Sequence, residues 1–200
     1  SDALDKLRFL QSKGEPIRDA GLPLEIRISV NKDEGVLQIA DTGLGMTETE
    51  LIDNLGTIAK SGSEQFLKDM GAETPAGDDA SKTDDDTGAA ASEGKPATPA
   101  SEIIGRFGIG FYSVFMVADS VDVISRSALG DEPPHLWSST GSGSFTVKPL
   151  EGDEAASFTR GTVIRARLKE DAKEFLEKHR LEAAIRKHSN FLPFPIYLED

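Results

Sequence analysis

The sequence of 200 residues contains no cysteine. That excludes disulfides, thiolate metal sites and thiol catalysis, and is compatible with a reducing compartment. Basic residues are outnumbered, 22 Lys and Arg against 35 Asp and Glu, for a net charge of −13. A nucleic-acid partner or an anionic membrane surface would need clustered Lys and Arg, so the balance argues against both. Histidine is scarce: His135, His179 and His188 are isolated, and the last two point in different directions from one predicted helix. They form no metal set and no Ser-His-Asp arrangement, and His135 reads as a strand residue. No apolar run approaches the roughly 18–20 residues of a membrane span, and no targeting segment stands at the start. Residues 1–10 read as an amphipathic helix through Ala3, Leu4, Leu7 and Leu10 with no cap ahead of it, so the chain is expected to open inside an element. What remains, 38% hydrophobic residues in a chain of this length, suffices for one domain with a real core.

Strict alternation of apolar and polar residues predicts a strand at 24–30, joined as an antiparallel hairpin to a second at 36–40; further strands are expected at 121–125, 135–138, 143–148, 162–168 and 196–198, set apart by Gly, Pro and Asp turns. Strands that follow strands without intervening helices imply an antiparallel sheet. Thr47 with Glu50 three places on forms a capping box, which starts a helix through Leu51, Ile52, Leu55 and Ile58. A shorter helix is expected at 63–70, and a long one at 170–188 with Phe175, Leu176, Leu181, Ala184 and Ile185 turned inward. The sum is an α+β, two-layer domain: one mostly antiparallel sheet with its helices on one face. Residues 71–100 differ in kind, with seven acidic residues against Lys82 and Lys95 and no large apolar side chain. Such a segment cannot bury enough apolar surface to offset the entropy of ordering, so disorder is expected there.

Three turns carry the chemistry. Gly105, Gly108 and Gly110 precede an apolar stretch, 111–118, read as a helix; a helix starting after such a turn aims unpaired N–H groups and its positive dipole end at an anion. The plainer alternative is a tight loop that lets a helix pack. Asp41-Thr42-Gly43-Leu44-Gly45-Met46 ends a strand with a carboxylate, an acceptor suited to an exocyclic amino group such as adenine's, or else the cap of an Asx turn. Arg160-Gly161-Thr162 opens another strand, where threonine is also common for its own sake. Lys60, at the end of a helix, either neutralises a phosphate or is solvated. Gly108-Ile109-Gly110-Phe111 comes close to a dinucleotide fingerprint, but that needs a strand directly before it in a parallel unit, and a polar tract stands there instead.

Asp41 to Met46, Asn54-Leu55-Gly56-Thr57-Ile58-Ala59-Lys60-Ser61-Gly62, Gly105 to Ser113 and Arg160-Gly161-Thr162 occur in an order that closely resembles the N-terminal ATPase domain of the heat shock protein 90 chaperones. The resemblance covers nearly the whole chain outside 71–100. It implies a Bergerat-type fold and a single nucleotide-binding domain over 1–200, truncated at its N-terminus, with 71–100 inserted in an ATP lid spanning 60–104. It further implies ATP or ADP with Mg²⁺ as cofactors, client proteins, a homodimer in the full-length protein and adenine-competitive inhibitors. The residues implied at the nucleotide are Asp2, Ala3, Lys6, Asp41, Gly45, Met46, Asn54, Lys60, Ser61, Gly108, Ile109, Gly110, Phe111 and Thr162. Asp41 would take the adenine amino group with Thr162 helping through water, Met46 would pack on the base, and amides of 108–111 would meet the phosphates. The general-base Glu and the Mg²⁺-holding Asn of the family are expected ahead of Ser1, so no catalytic or metal residue is assigned within the chain. Arg106 stands where the family usually has Gln, which bears on lid closure. Residues 121–128, 141–145 and 187–191 look most like the mitochondrial paralogue, implying a mitochondrial location, with another organelle or the cytoplasm as alternatives. A DNA-acting relative or an acidic interaction module are the competing functions.

Overall fold

The computed structural model describes residues 2–56 and 109–199. Helix α1 (Asp2–Ser12) buries Leu4 and Leu7, which stand one above the other on a single face. Strands β1 (Ile26–Asn31) and β2 (Val36–Asp41) form the expected hairpin, with Asn31 opposite Val36 and Gly35 turning at φ +67. Then come α2 (Glu48–Leu51), which loosens into a π-helical turn (Ile52–Gly56), α3 (Ile109–Tyr112) and a 3-10 turn (Ser113–Met116). Strands β3 (Ala118–Arg126), β4 (His135–Ser139) and β5 (Phe145–Pro149) follow, then α4 (Gly152–Ser157) and β6 (Gly161–Leu168). A second 3-10 turn (Glu170–Leu176), α5 (Lys178–His188) and β7 (Ile196–Leu198) complete the described chain.

All seven predicted strands form, in one sheet of order β5-β4-β3-β6-β2-β1-β7. Every pairing is antiparallel except β1 with β7. Their ends shift slightly: β1 begins at Ile26 rather than residue 24, and β5 at Phe145 rather than 143.

Register decides which side chains share a face. Leu37, Ile39 and Asp41 of β2 stand opposite Ala166, Ile164 and Thr162 of β6, which in turn face Val121, Val123 and Ser125 of β3. This side carries the core, where Val121, Val123, Trp137 and Ala166 pack with Leu51 and Leu55 and with Ala172 and Leu176. The other side presents Gln38, Ser120, Asp122, Arg165 and Arg167 around a cavity of about 420 Å³. Helix α4, absent from the sequence reading, lies on that second side, where Glu154 pairs with Arg165.

Two predicted helices are corrected. The helix expected through residue 118 is four residues of α3 plus a 3-10 turn. Ala118 already pairs with Leu168, and Lys169 closes the turn's end, its amide donating to the Val117 carbonyl and its ammonium to that of Phe115. The long helix at 170–188 breaks at Glu177, an extended residue with φ −86 and ψ 123. On one straight helix Leu176 and Leu181 would sit roughly 140° apart; the break lets both be buried and leaves Phe175 and Ala184 exposed. The capping box stands as read, with Thr47 Oγ1 accepting from Glu50 N–H and Glu50 from Thr47 N–H. The expectations for the helix at 63–70, the disordered segment 71–100, the lid at 60–104, and Lys60, Ser61 and Gly108 lie outside the described residues.

Candidate functional site

Asp41 is the last residue of β2, and the chain turns immediately after it. Gly43 N–H donates to Asp41 Oδ1 at 2.8 Å, closing an Asx turn. Thr42 Oγ1 donates to the Pro23 carbonyl at 2.6 Å and accepts from Glu25 N–H at 3.0 Å, which pins the strand end. A Cβ on Gly43 would sit 2.8 Å from that of Ala3, and Leu44 N–H donates to the Ala3 carbonyl, so α1 rests directly on the turn. Gly45, at φ +65, lies so close to β3 that a Cβ would stand 2.0 Å from the Arg126 carbonyl oxygen. Met46 N–H donates to Ser125 Oγ at 2.9 Å, and Asn54 Nδ2 lies 3.9 Å from Met46 Sδ.

The second turn meets the first from β6. Gly161 has φ +111, and Thr162 is paired with Asp41 on one side and Ser125 on the other. Thr162 Oγ1 and Ser125 Oγ are 2.9 Å apart. Arg160 points away from this edge: it is buried, and its guanidinium donates to the carbonyls of Arg18, Asp19 and Leu22. It therefore clamps the connection between α1 and β1.

Burial pushes the Asp41 carboxyl up from its ordinary value, and the Gly43 hydrogen bond opposes that shift. Among the described residues the Gly43 amide is its one hydrogen-bond donor. The turn thus holds a half-buried carboxylate with acceptor capacity to spare. Burial likewise lowers the Arg160 guanidinium, against the opposing charge of Asp19.

The structure brings Ala3, Asp41, Gly45, Met46, Asn54 and Thr162 near one another around the two glycine turns. Asp2 and Lys6 are exposed on α1. Ile109 and Gly110 open α3, where Gly110 is exposed with open space beyond its Cα. The Phe111 ring meets Trp137 edge-on at 5.7 Å and packs, like Met46, against the core on the helix-bearing side of the sheet. Tyr112 donates its hydroxyl proton to the Leu55 carbonyl, tying α3 to the π-helical turn. Ser125 and the clamp made by Arg160 were missed from sequence. Ser125 carried one signal: it is the polar residue on the register of Val121 and Val123.

Among the described residues no group of three His, Asp or Glu could hold a metal ion. His135, buried at the start of β4, comes within 3.5 Å of one carboxylate, that of Glu48. A second cavity of about 430 Å³, on the face opposite the core, reaches the end of β2 at Ala40, Asp41 and Thr42 and is lined across the sheet by Gln38 and Arg165. It offers polar groups but not the glycine turns.

The chain is 53% identical over 199 residues to the chaperone protein HtpG of Nitratidesulfovibrio vulgaris, 100% of this chain and 28% of that protein. It is 50% identical over 200 residues to HtpG of Oleidesulfovibrio alaskensis, 100% of this chain and 27% of the other. With HtpG of Sulfurovum sp. the identity is 42% over 198 residues, covering 99% and 27%. These relatives are bacterial, which overturns the mitochondrial reading and the location drawn from it. The chain spans little more than a quarter of their length. Residues 19–133 match the family described as Histidine kinase-, DNA gyrase B-, and HSP90-like ATPase, and to that family the chain belongs.

Proposed function

We propose that residues 1–200 are one nucleotide-binding domain of an ATP-dependent chaperone, with the acidic segment 71–100 as an insertion in its lid. The observation that carries the reading is the carboxyl of Asp41. It is raised by burial, engaged by one described donor, and set in register with Thr162 where two glycine turns meet. That edge accepts hydrogen bonds, as an adenine amino group requires. Ala3, Gly45 and Met46 border it, Asn54 extends it from the π-helical turn, and Ile109, Gly110 and Phe111 stand where α3 opens. Gly108, Lys60 and Ser61 would contribute from beyond the described residues, and Asp2 and Lys6 from the exposed side of α1.

ATP, when bound, supplies a phosphoanhydride whose hydrolysis can drive a conformational cycle. The described residues offer no ligand set for Mg²⁺. The similar proteins bear the name chaperone protein HtpG, which supports client proteins as partners and an ATPase activity of the full-length protein. A homodimer and adenine-competitive inhibitors follow from the family resemblance. The net charge of −13 speaks against the DNA-acting alternative. Calorimetric titration of ADP into the full-length protein tests the reading. Asp41→Asn places an amide where the acceptor stood, and the affinity should fall by roughly 1.5–3 kcal/mol, the worth of a charge-assisted hydrogen bond. An unchanged affinity removes Asp41 from the site.

A further inference from the structure

Ser125 is fully buried on the core side of β3. A buried hydroxyl must find partners, and three surround this one. Its Oγ lies 2.9 Å from the Met46 amide, 3.1 Å from the Gly161 carbonyl oxygen and 2.9 Å from Thr162 Oγ1. A serine hydroxyl has one proton and two lone pairs. The Met46 amide can only donate to it, and the Gly161 carbonyl can only accept. The serine proton therefore goes to Gly161, because the other choice sets two lone-pair-bearing oxygens face to face at 3.1 Å in a low-dielectric interior. Towards Thr162, Ser125 is then an acceptor. Thr162 spends its own proton on Ser125 and turns lone pairs to its remaining neighbours. Across β2 and β6 it stands beside Asp41, whose ionised carboxyl also only accepts.

We infer that Ser125 is a positioning residue that fixes the Thr162 hydroxyl as an acceptor, so that the edge formed by Asp41 and Thr162 selects a purine bearing an amino group over one bearing a carbonyl at the same position. The inference rests on the nucleotide site proposed above and adds to it the group that sets its polarity. Without the Ser125 oxygen, the Thr162 hydroxyl is free to rotate and donate to a carbonyl, and the selection weakens.

The test compares ADP with inosine diphosphate, its 6-carbonyl counterpart, by calorimetry on the full-length protein. The wild type should prefer ADP. Ser125→Ala should shrink the ratio of the two affinities by roughly tenfold, about the worth of one hydrogen bond. Ser125→Cys, which fills the same space with a weak acceptor, should shrink it in the same direction. Ser125→Thr keeps the hydroxyl and should restore the ratio. A role confined to packing would weaken both ligands equally; an unchanged ratio in both Ser125→Ala and Ser125→Cys overturns the inference. Failure of the wild type to bind ADP overturns the site itself and the role of Ser125 with it, whereas ADP binding with an unaltered ratio overturns only the role of Ser125.

Discussion

Gly161 and Asp41 touch through their backbones: a Cβ on Gly161 would stand 2.1 Å from the Asp41 carbonyl oxygen. The turn that opens β6 and the strand end that carries the carboxylate are thus built as one unit. Gly161→Ala must move that carbonyl and also adopt φ +111, a conformation that L side chains rarely take. The expected loss is about 3 kcal/mol or more, from strain and overpacking together. Gly130 is the control, at φ +75 with nothing within 4 Å of its Cβ position. Gly130→Ala should cost only about 1–2 kcal/mol, the strain alone. Denaturant midpoints measure both, and equal losses would show that the close approach does not matter.

Asp41 should reveal a conflict between stability and binding. Its carboxyl is raised in the folded state by burial, so folding favours the protonated form. The stability it contributes is fully present below the unfolded carboxylate value of about 3.9 and is lost as pH rises through the raised folded value. At neutral pH, Asp41→Asn should therefore be as stable as the wild type or more so, an advantage that vanishes below about pH 4. ADP affinity should behave oppositely in the wild type and fall as acidification protonates the carboxyl. Denaturation and binding curves from pH 4 to 8 check both signs.

Arg160 holds the connection between α1 and β1, where Asp19 sits at φ +50. Arg160→Ala removes the donors to three backbone carbonyls and should cost roughly 2–4 kcal/mol, about 4–16 °C in melting temperature. Arg160→Lys should recover less than half, because a single ammonium cannot reproduce the planar fork. Calorimetric melting separates these outcomes; full recovery by lysine would show that charge alone is at work.

The strands were legible from local signals: Ile26 to Val30 alternates strictly, and the others are short apolar-rich runs set apart by Gly, Pro and Asp turns. The Asp41 turn was legible for a related reason: a carboxylate followed by Gly43 and Gly45 at a strand end has few uses. The break at Glu177 left a faint trace that the helix expected at 170–188 passed over: Leu176 and Leu181 lie five residues apart, about 140° around one straight helix, and the extended Glu177 between them lets both be buried. Helix α4 was missed because Gly152 to Ser157 is polar and too short to show a period. The parallel pairing of β7 with β1 joins segments far apart in sequence, and nothing local encodes it. Ser125 looks like any serine in a strand until its three partners are in place.

The most direct test is the structure of the full-length protein with ADP bound. The adenine amino nitrogen should lie about 3 Å from an Asp41 carboxylate oxygen, with the phosphates towards the start of α3. Adenine seated instead in the polar cavity on the opposite face, against Gln38 and Arg165, would contradict this placement.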